Sequence, residues 1–225
     1  MKFLLFDIDG TLIDSGGAGV RSLNISFKEM FGKQNAFREI SLAGKTDPQI
    51  LKEGMTLHEI PYSEEIASEF FRMYLCHLKV QMPHTQGHIK QGIPEALEAL
   101  KLEERHIIGL LTGNIEDGAG IKLRNFGLNS YFEVGAYGSD NEDRNKLLPV
   151  AVDKLYQTRS LMVDYRDCVV IGDTPRDIDC ARAYGAFSIG VATGPYTVDA
   201  LEKAGADMVF DNLSNTCKFL SVLNS

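Results

Sequence analysis

Four apolar residues in a row, Phe3-Leu4-Leu5-Phe6, open the chain and end in Asp7-Ile8-Asp9-Gly10-Thr11. A run of that length bounded by turn residues predicts a buried strand. Gly16-Gly17-Ala18-Gly19 then predicts a flexible turn. From there to residue 80 the apolar positions change to helical spacing. A helix is predicted over 20–30, with Leu23, Ile25, Phe27 and Met30 partly in phase. A second begins at Thr46 or Asp47, with Pro48 in its first turn, and runs to about Leu57. A third follows Ser63 as N-cap and carries Ile66, Phe70, Met73, Tyr74, Leu75 and Leu78. The stretch 80–92, with Pro83, Gly87, Gly92, His84 and His88, reads as a linker.

Beyond it the texture alternates. Pro94 opens a helix to Lys101. Strands are predicted over 106–111, 131–134, 168–171, 186–191 and 207–210, and helices over 115–126, 145–156, 178–184, 199–204 and 213–223. Alternating β and α units imply an α/β fold, a Rossmann-like doubly wound parallel sheet with helices on both faces. The all-helical block falls after the first strand and therefore predicts an inserted domain. The expected division is a core of residues 1–15 and 81–225 and a helical domain of residues 16–80.

Length and composition narrow the class. The 225 residues are 44% apolar and 24% charged, ordinary for a globular protein with a proper core. The formal net charge of −8 leaves no basic excess to offset nucleic-acid phosphates. A small phosphorylated ligand is still compatible, because one local cation and a metal ion suffice. Cys76, Cys168, Cys180 and Cys217 are scattered without metal or redox spacing, and Cys168 sits in an apolar run as a small core residue. Asp7 and Asp9 interrupt any signal-peptide core, and no apolar run approaches membrane-spanning length. A cytoplasmic protein is the expectation, without nucleic-acid or membrane partners, its charge compatible with a monomer.

The chemistry gathers at three predicted strand ends. The first supplies Asp7 and Asp9. The second ends in Thr112-Gly113-Asn114, just before a helix. The third ends in Gly172-Asp173-Thr174-Pro175-Arg176-Asp177. In a parallel sheet such ends share one edge, so residues far apart in sequence can converge there. Paired acids can hold a hard divalent cation through oxygen, or divide the roles of nucleophile and proton carrier. A hydroxyl at a helix entrance suits a phosphate. Taken singly, Thr112 reads as a helix cap ahead of a ligand contact, and Asp173 as a cap too, with Pro175 at the helix start.

Together the three stretches resemble the haloacid dehalogenase superfamily. Asp7-Ile8-Asp9-Gly10-Thr11 matches its first motif, Leu110-Leu111-Thr112-Gly113-Asn114 its second, and Gly172-Asp173 with Asp177 its fourth; the helical insert resembles the family's C1 cap in the phosphoglycolate phosphatase-like branch. The third motif departs from the family pattern, since no Lys-Pro pair precedes the helix near residue 145. Arg144 is the first choice for its cation and Lys146 the alternative.

The resemblance implies a magnesium-dependent phosphatase acting on a small phosphomonoester, phosphoglycolate-like or a sugar phosphate. It implies Asp7 as nucleophile and Asp9 as general acid and base. Thr112, Gly113, Asn114 and Arg144 or Lys146 would bind phosphate. Asp7, Asp9 and Asp173 would hold Mg2+, with Asp177 acting through water or behind the ligands. Lys45, in Gly44-Lys45-Thr46-Asp47, resembles a cap specificity residue. The glycine stretch 16–19 and the segment 80–92 resemble the cap's two hinges. His84 and His88 read either as cleft-lining or as exposed. A phosphosugar mutase of the same fold is the alternative reading, as is a non-catalytic module that binds phospho-ligands. The D-x-D pair counts against a dehalogenase.

Overall fold

The computed structural model describes residues 1–224. Its central sheet has six parallel strands, β1 (Phe3–Phe6), β4 (Ile107–Thr112), β5 (Val134–Tyr137), β6 (Cys168–Gly172), β7 (Phe187–Val191) and β8 (Met208–Phe210). Their order is β5-β4-β1-β6-β7-β8. The chain builds outward on one side of β1, then returns to its other side. That reversal places β1 at the switch point of the sheet, where open α/β sheets form their ligand crevice. Phe3 pairs with Ile107 on one side and Cys168 on the other.

Strand β1 is buried on both faces, and its alternation divides the core. Leu4 and Phe6 join one apolar cluster with Ala96, Leu97 and Leu100 of α4 (Ile93–Glu103), Ala119 and Leu123 of α5 (Glu116–Asn125), and Phe219 of α9 (Thr216–Leu223). Phe3 and Leu5 join a second with Leu148, Ala151 and Leu155 of α6 (Leu147–Arg159) and Cys180 and Ala181 of α7 (Pro175–Arg182). Cys168 is fully buried in this second layer. The short α8 (Val198–Lys203) packs beside β7 and β8.

The insert after β1 forms a third cluster of its own. Helices α1 (Ala18–Phe31), α2 (Asp47–Leu57) and α3 (Glu64–Gln81) enclose Leu23, Phe27, Phe37, Leu51, Phe70 and Tyr74. Phe27 is its hub, with ring contacts to Phe31, Phe37 and Phe70. Thr46, one of the two expected caps, closes the N-terminus of α2 in a reciprocal capping box with Gln49. Ser63 caps α3.

Several boundaries depart from the sequence expectation. The strand expected over 131–134 lies at Val134–Tyr137 instead. Tyr131 belongs to a 3-10 turn, its hydroxyl bonded to Glu98 and Lys101 5.5 Å above its ring. Its aromatic surface is thus spent against α4 rather than in the sheet. The two connections between core and insert are not plain linkers. They pair as a two-residue antiparallel ribbon, β2 (Ile13–Asp14) with β3 (His88–Ile89). Helix α7 starts at Pro175, earlier than expected, because Thr174 and Asp177 form its capping box. Helix α9 starts at Thr216, later than expected, with Asn215 as its cap. Among the described residues, no helix is long and apolar enough to cross a membrane.

Candidate active site

Strands β4, β1 and β6 are neighbours, so their carboxyl ends deliver Thr112, Asp7 and Asp173 to one place. Asp7, Asp173 and Asp177 are all buried, and each offers a carboxylate oxygen within 4.8 Å of the others. Gly10 makes the packing possible. Its φ is 90°, and a Cβ there would overlap the Asp173 carboxylate. Thr11 Oγ1 donates to Asp173 Oδ1 at 3.0 Å. Asp177 accepts from the Thr174 N–H at 3.0 Å and from its hydroxyl at 2.8 Å.

One cation enters this acid cluster. Arg144 is buried, with Nη2 3.2 Å from Asp7 Oδ1 and paired also with Asp177. Burial works to lower its pKa, but Asp177 and Asp7 outweigh that and raise it. Its Nε is buried without a hydrogen-bond partner among the described residues. Lys146, the alternative, sits on the exposed side of the same 3-10 turn, away from the cavity. The turn spans Arg144–Lys146, and its geometry aims only the first residue inward.

The electrostatics follow from crowding. Burial first, and then repulsion from Asp177, pushes Asp7 up to about 6, against the pull of Arg144. Burial and the charges of Asp7 and Asp177 raise Asp173 well above the usual carboxylate range. Three carboxylates against one guanidinium leave negative charge unbalanced. Two oxygen donors beside a third acid suit a hard divalent cation, which would relieve that repulsion.

Asp9 stands apart from this cluster, half-buried and clamped on both oxygens. Ser15 Oγ donates to Oδ1 at 3.0 Å. Lys122 Nζ and Asn114 Nδ2 donate to Oδ2 at 2.6 and 2.9 Å. Burial would raise the Asp9 pKa, but Lys122 and these hydrogen bonds bring it below the usual value. Thr112 is no helix cap, because Ile115 holds that position. Its hydroxyl accepts from Asn114 and hydrogen-bonds toward Asp7. The Asn114 side chain is engaged throughout, bonding Asp9, Thr112 and Lys122.

Above these residues lies a cavity of about 420 Å3. Asp7, Asp9, Thr112, Asn114, Lys122, Arg144 and Asp173 form its floor; Val20, Leu23, Leu42, Ile50 and Tyr74 of the insert form its walls. Lys45 reaches the cavity, with its ammonium 2.5 Å from Glu53. A Cβ at Gly113 would overlap the Lys45 carbonyl, so a glycine is required where the insert backbone meets the β4 end. His84 and His88 are exposed and do not line the cavity.

Sequence reasoning missed Lys122, Asp47 and Tyr74. Lys122 carried a signal: with Ile115 and Ala119 it falls on the apolar phase of its helix, where a lysine is out of place. On sequence Asp47 is a candidate cap and the last residue of the Gly44-Lys45-Thr46-Asp47 stretch. Its buried carboxylate instead reaches the core, accepting from the Ile115 N–H at 2.9 Å.

Known proteins resemble this chain along most of its length. The chain is 28% identical to the probable phosphatase IndB of Dickeya dadantii, over 94% of this chain and 90% of that one. It is 26% identical to a phosphoglycolate phosphatase of Agrobacterium fabrum, over 93% and 88% of the two chains. The crystal structure of a hydrolase from Pseudomonas syringae shares the fold, with a TM-score of 0.74 and 24% identity over the whole of both chains. Residues 4–191 match the model of the haloacid dehalogenase-like hydrolases, and the chain belongs to that family.

Proposed function

We propose that this protein is a magnesium-dependent phosphatase of small phosphomonoesters, working through a phosphorylated Asp7. The observation that carries the reading is the convergence of Asp7, Asp173 and Asp177 within 4.8 Å, beside buried Arg144 and beneath the cavity between the core and the helical insert. Asp7 and Asp173 would hold Mg2+ through side-chain oxygens, and Asp9 through its backbone carbonyl. Asp177, bonded to Thr174 and Arg144, stands behind them. Bound there, the ion offsets the repulsion between Asp7 and the phosphate dianion.

Asp7 attacks phosphorus, and the bond to the leaving oxygen breaks. The Arg144 guanidinium, the Thr112 hydroxyl and the Gly113 N–H hold transferring oxygens. Asp9 gives its proton to the leaving alkoxide, then takes one from the water that attacks the phosphorylated aspartate. Asp9 is ionised at rest. The arriving dianion places a like charge beside it and raises its proton affinity, so Asp9 takes up one proton from solvent before the first half-reaction and returns one to solvent after the second. The helical insert acts as a cap that excludes bulk water from the intermediate. Lys45, on the cavity wall, contacts the leaving group.

The size of the cavity favours a small leaving group, phosphoglycolate-like or a sugar. The name of the Agrobacterium fabrum relative points the same way. The test is hydrolysis of p-nitrophenyl phosphate with and without magnesium, alongside Asp7→Asn, followed by a panel of phosphorylated metabolites. Magnesium-dependent turnover lost in the variant is the expected result. An isomerised product from the panel would make the protein a mutase, and turnover by Asp7→Asn would overturn the covalent route.

A further inference from the structure

Lys122 closes a three-membered ring of hydrogen bonds in the floor of the cavity. Its ammonium lies 2.6 Å from Asp9 Oδ2 and 2.6 Å from Asn114 Oδ1. Asn114 completes the ring by donating to the same Asp9 oxygen at 2.9 Å. The lysine is buried, and Gly19 of α1 covers it from the insert side, where a Cβ would stand 3.4 Å from Nζ. Its carrier helix α5 begins at Glu116, just past Asn114, so the helix and the turn that leads into it supply both donors to Asp9 Oδ2.

Stability does not explain this choice of residue. A buried ion pair gains little over apolar side chains of similar volume, because both charges lose their hydration. A leucine at 122 would extend the apolar phase of α5 set by Ala119 and Leu123. The ring does something an apolar residue could not. With Ser15 on the other oxygen, it confines the Asp9 carboxylate to one rotamer and one plane. A proton donor must sit within hydrogen-bond reach of the leaving oxygen to act. A short aspartate free to rotate would spend most of its time elsewhere.

We infer that Lys122 is a positioning residue, which with Asn114 holds the Asp9 carboxylate against the leaving-group oxygen. The assignment rests on the phosphatase reading above. It concerns the leaving group and not the attack by Asp7, and therefore has a signature of its own. An ester whose leaving group departs as a stable anion needs no proton. An alkyl ester does.

The experiment compares kcat/KM, which reports transfer to Asp7, for p-nitrophenyl phosphate and β-glycerophosphate. For Lys122→Met we expect a loss of roughly 10²- to 10³-fold on β-glycerophosphate and less than about 10-fold on p-nitrophenyl phosphate. Asp9→Asn should show the same pattern. Equal losses on the two esters, or no loss on either, would overturn the assignment while leaving the phosphatase reading standing. If the wild type cleaves neither ester, nor any of the metabolite panel, both fall together. Thermal melting checks that Lys122→Met folds. If it does not, Lys122→Ala with added propylamine replaces it. The amine should restore cleavage of β-glycerophosphate selectively, and a folded variant without that selective rescue overturns the inference.

Discussion

Asp47 Oδ2 accepts a hydrogen bond from the Ile115 N–H at 2.9 Å, across the seam between the helical insert and the sheet core. The adjacent backbone reinforces it, with the Asp47 N–H bonded to the Gly113 carbonyl at 2.7 Å. The start of α2 is thereby seated on the loop that carries Thr112 and Asn114. Removing the carboxylate leaves a buried N–H without a partner, a cost of about 1–3 kcal/mol. Asp47→Ala should raise KM more than it lowers kcat, and should increase hydrogen exchange at the Ile115 amide.

The same carboxylate predicts a pH dependence. Burial raises Asp47 from 3.8 to about 6, against the pull of Lys122. The folded protein holds this proton more tightly than the unfolded chain. The contribution to stability is therefore full below pH 4, declines between pH 4 and 6, and is lost above 6. A difference of about 2 pKa units corresponds to at most about 3 kcal/mol. Asp47→Asn removes this slope. Its melting temperature relative to wild type should be higher at pH 7 than at pH 4.5.

Arg144 and Lys146 are two residues apart and should behave oppositely. Arg144→Ala leaves Asp7 and Asp177 buried without their countercharge, a loss of about 3–5 kcal/mol, with turnover down at least ~10²-fold. Arg144→Lys keeps the charge but not the fork, and should retain part of the activity. Lys146→Ala should leave both melting temperature and turnover near wild type. Thermal melts and steady-state kinetics on the three variants check this.

Magnesium should stabilise the folded chain through the acid cluster. At about 100 times its dissociation constant, the ion adds about 2.7 kcal/mol. The melting temperature should rise with added Mg2+ in the wild type. It should stay flat in Asp173→Ala, whose loss also relieves the repulsion among the three acids and so raises stability in the absence of metal.

Phe27 tests whether the insert behaves as a unit. It is fully buried in the cluster that joins α1, α2 and α3. Phe27→Ala should cost about 3–5 kcal/mol. Hydrogen exchange should accelerate across Asp47–Leu57 and Glu64–Gln81 and remain slow in Ile107–Thr112. Uniform acceleration over the whole chain would mean that the core and the insert unfold together.

Local chemistry wrote much of this protein into its sequence. The unbroken apolar run of β1, the Thr46 and Ser63 caps, and the alternation of strands and helices each depend on residues close in the chain. The meeting of Asp7, Thr112 and Asp173 was also legible, because parallel strands align their carboxyl ends whatever the loops between them. Tertiary structure alone decided the rest. Tyr131 looked like strand until α4 claimed its ring. Arg144 and Lys146 are indistinguishable as charges, and only the orientation of one 3-10 turn separates them. Lys122 and Asp47 are 75 residues apart in the numbering, and beyond a lysine out of phase on its helix nothing in the sequence links them. Their roles arise where α5 meets the insert, since burial and partners brought from distant segments determine what a charged side chain does.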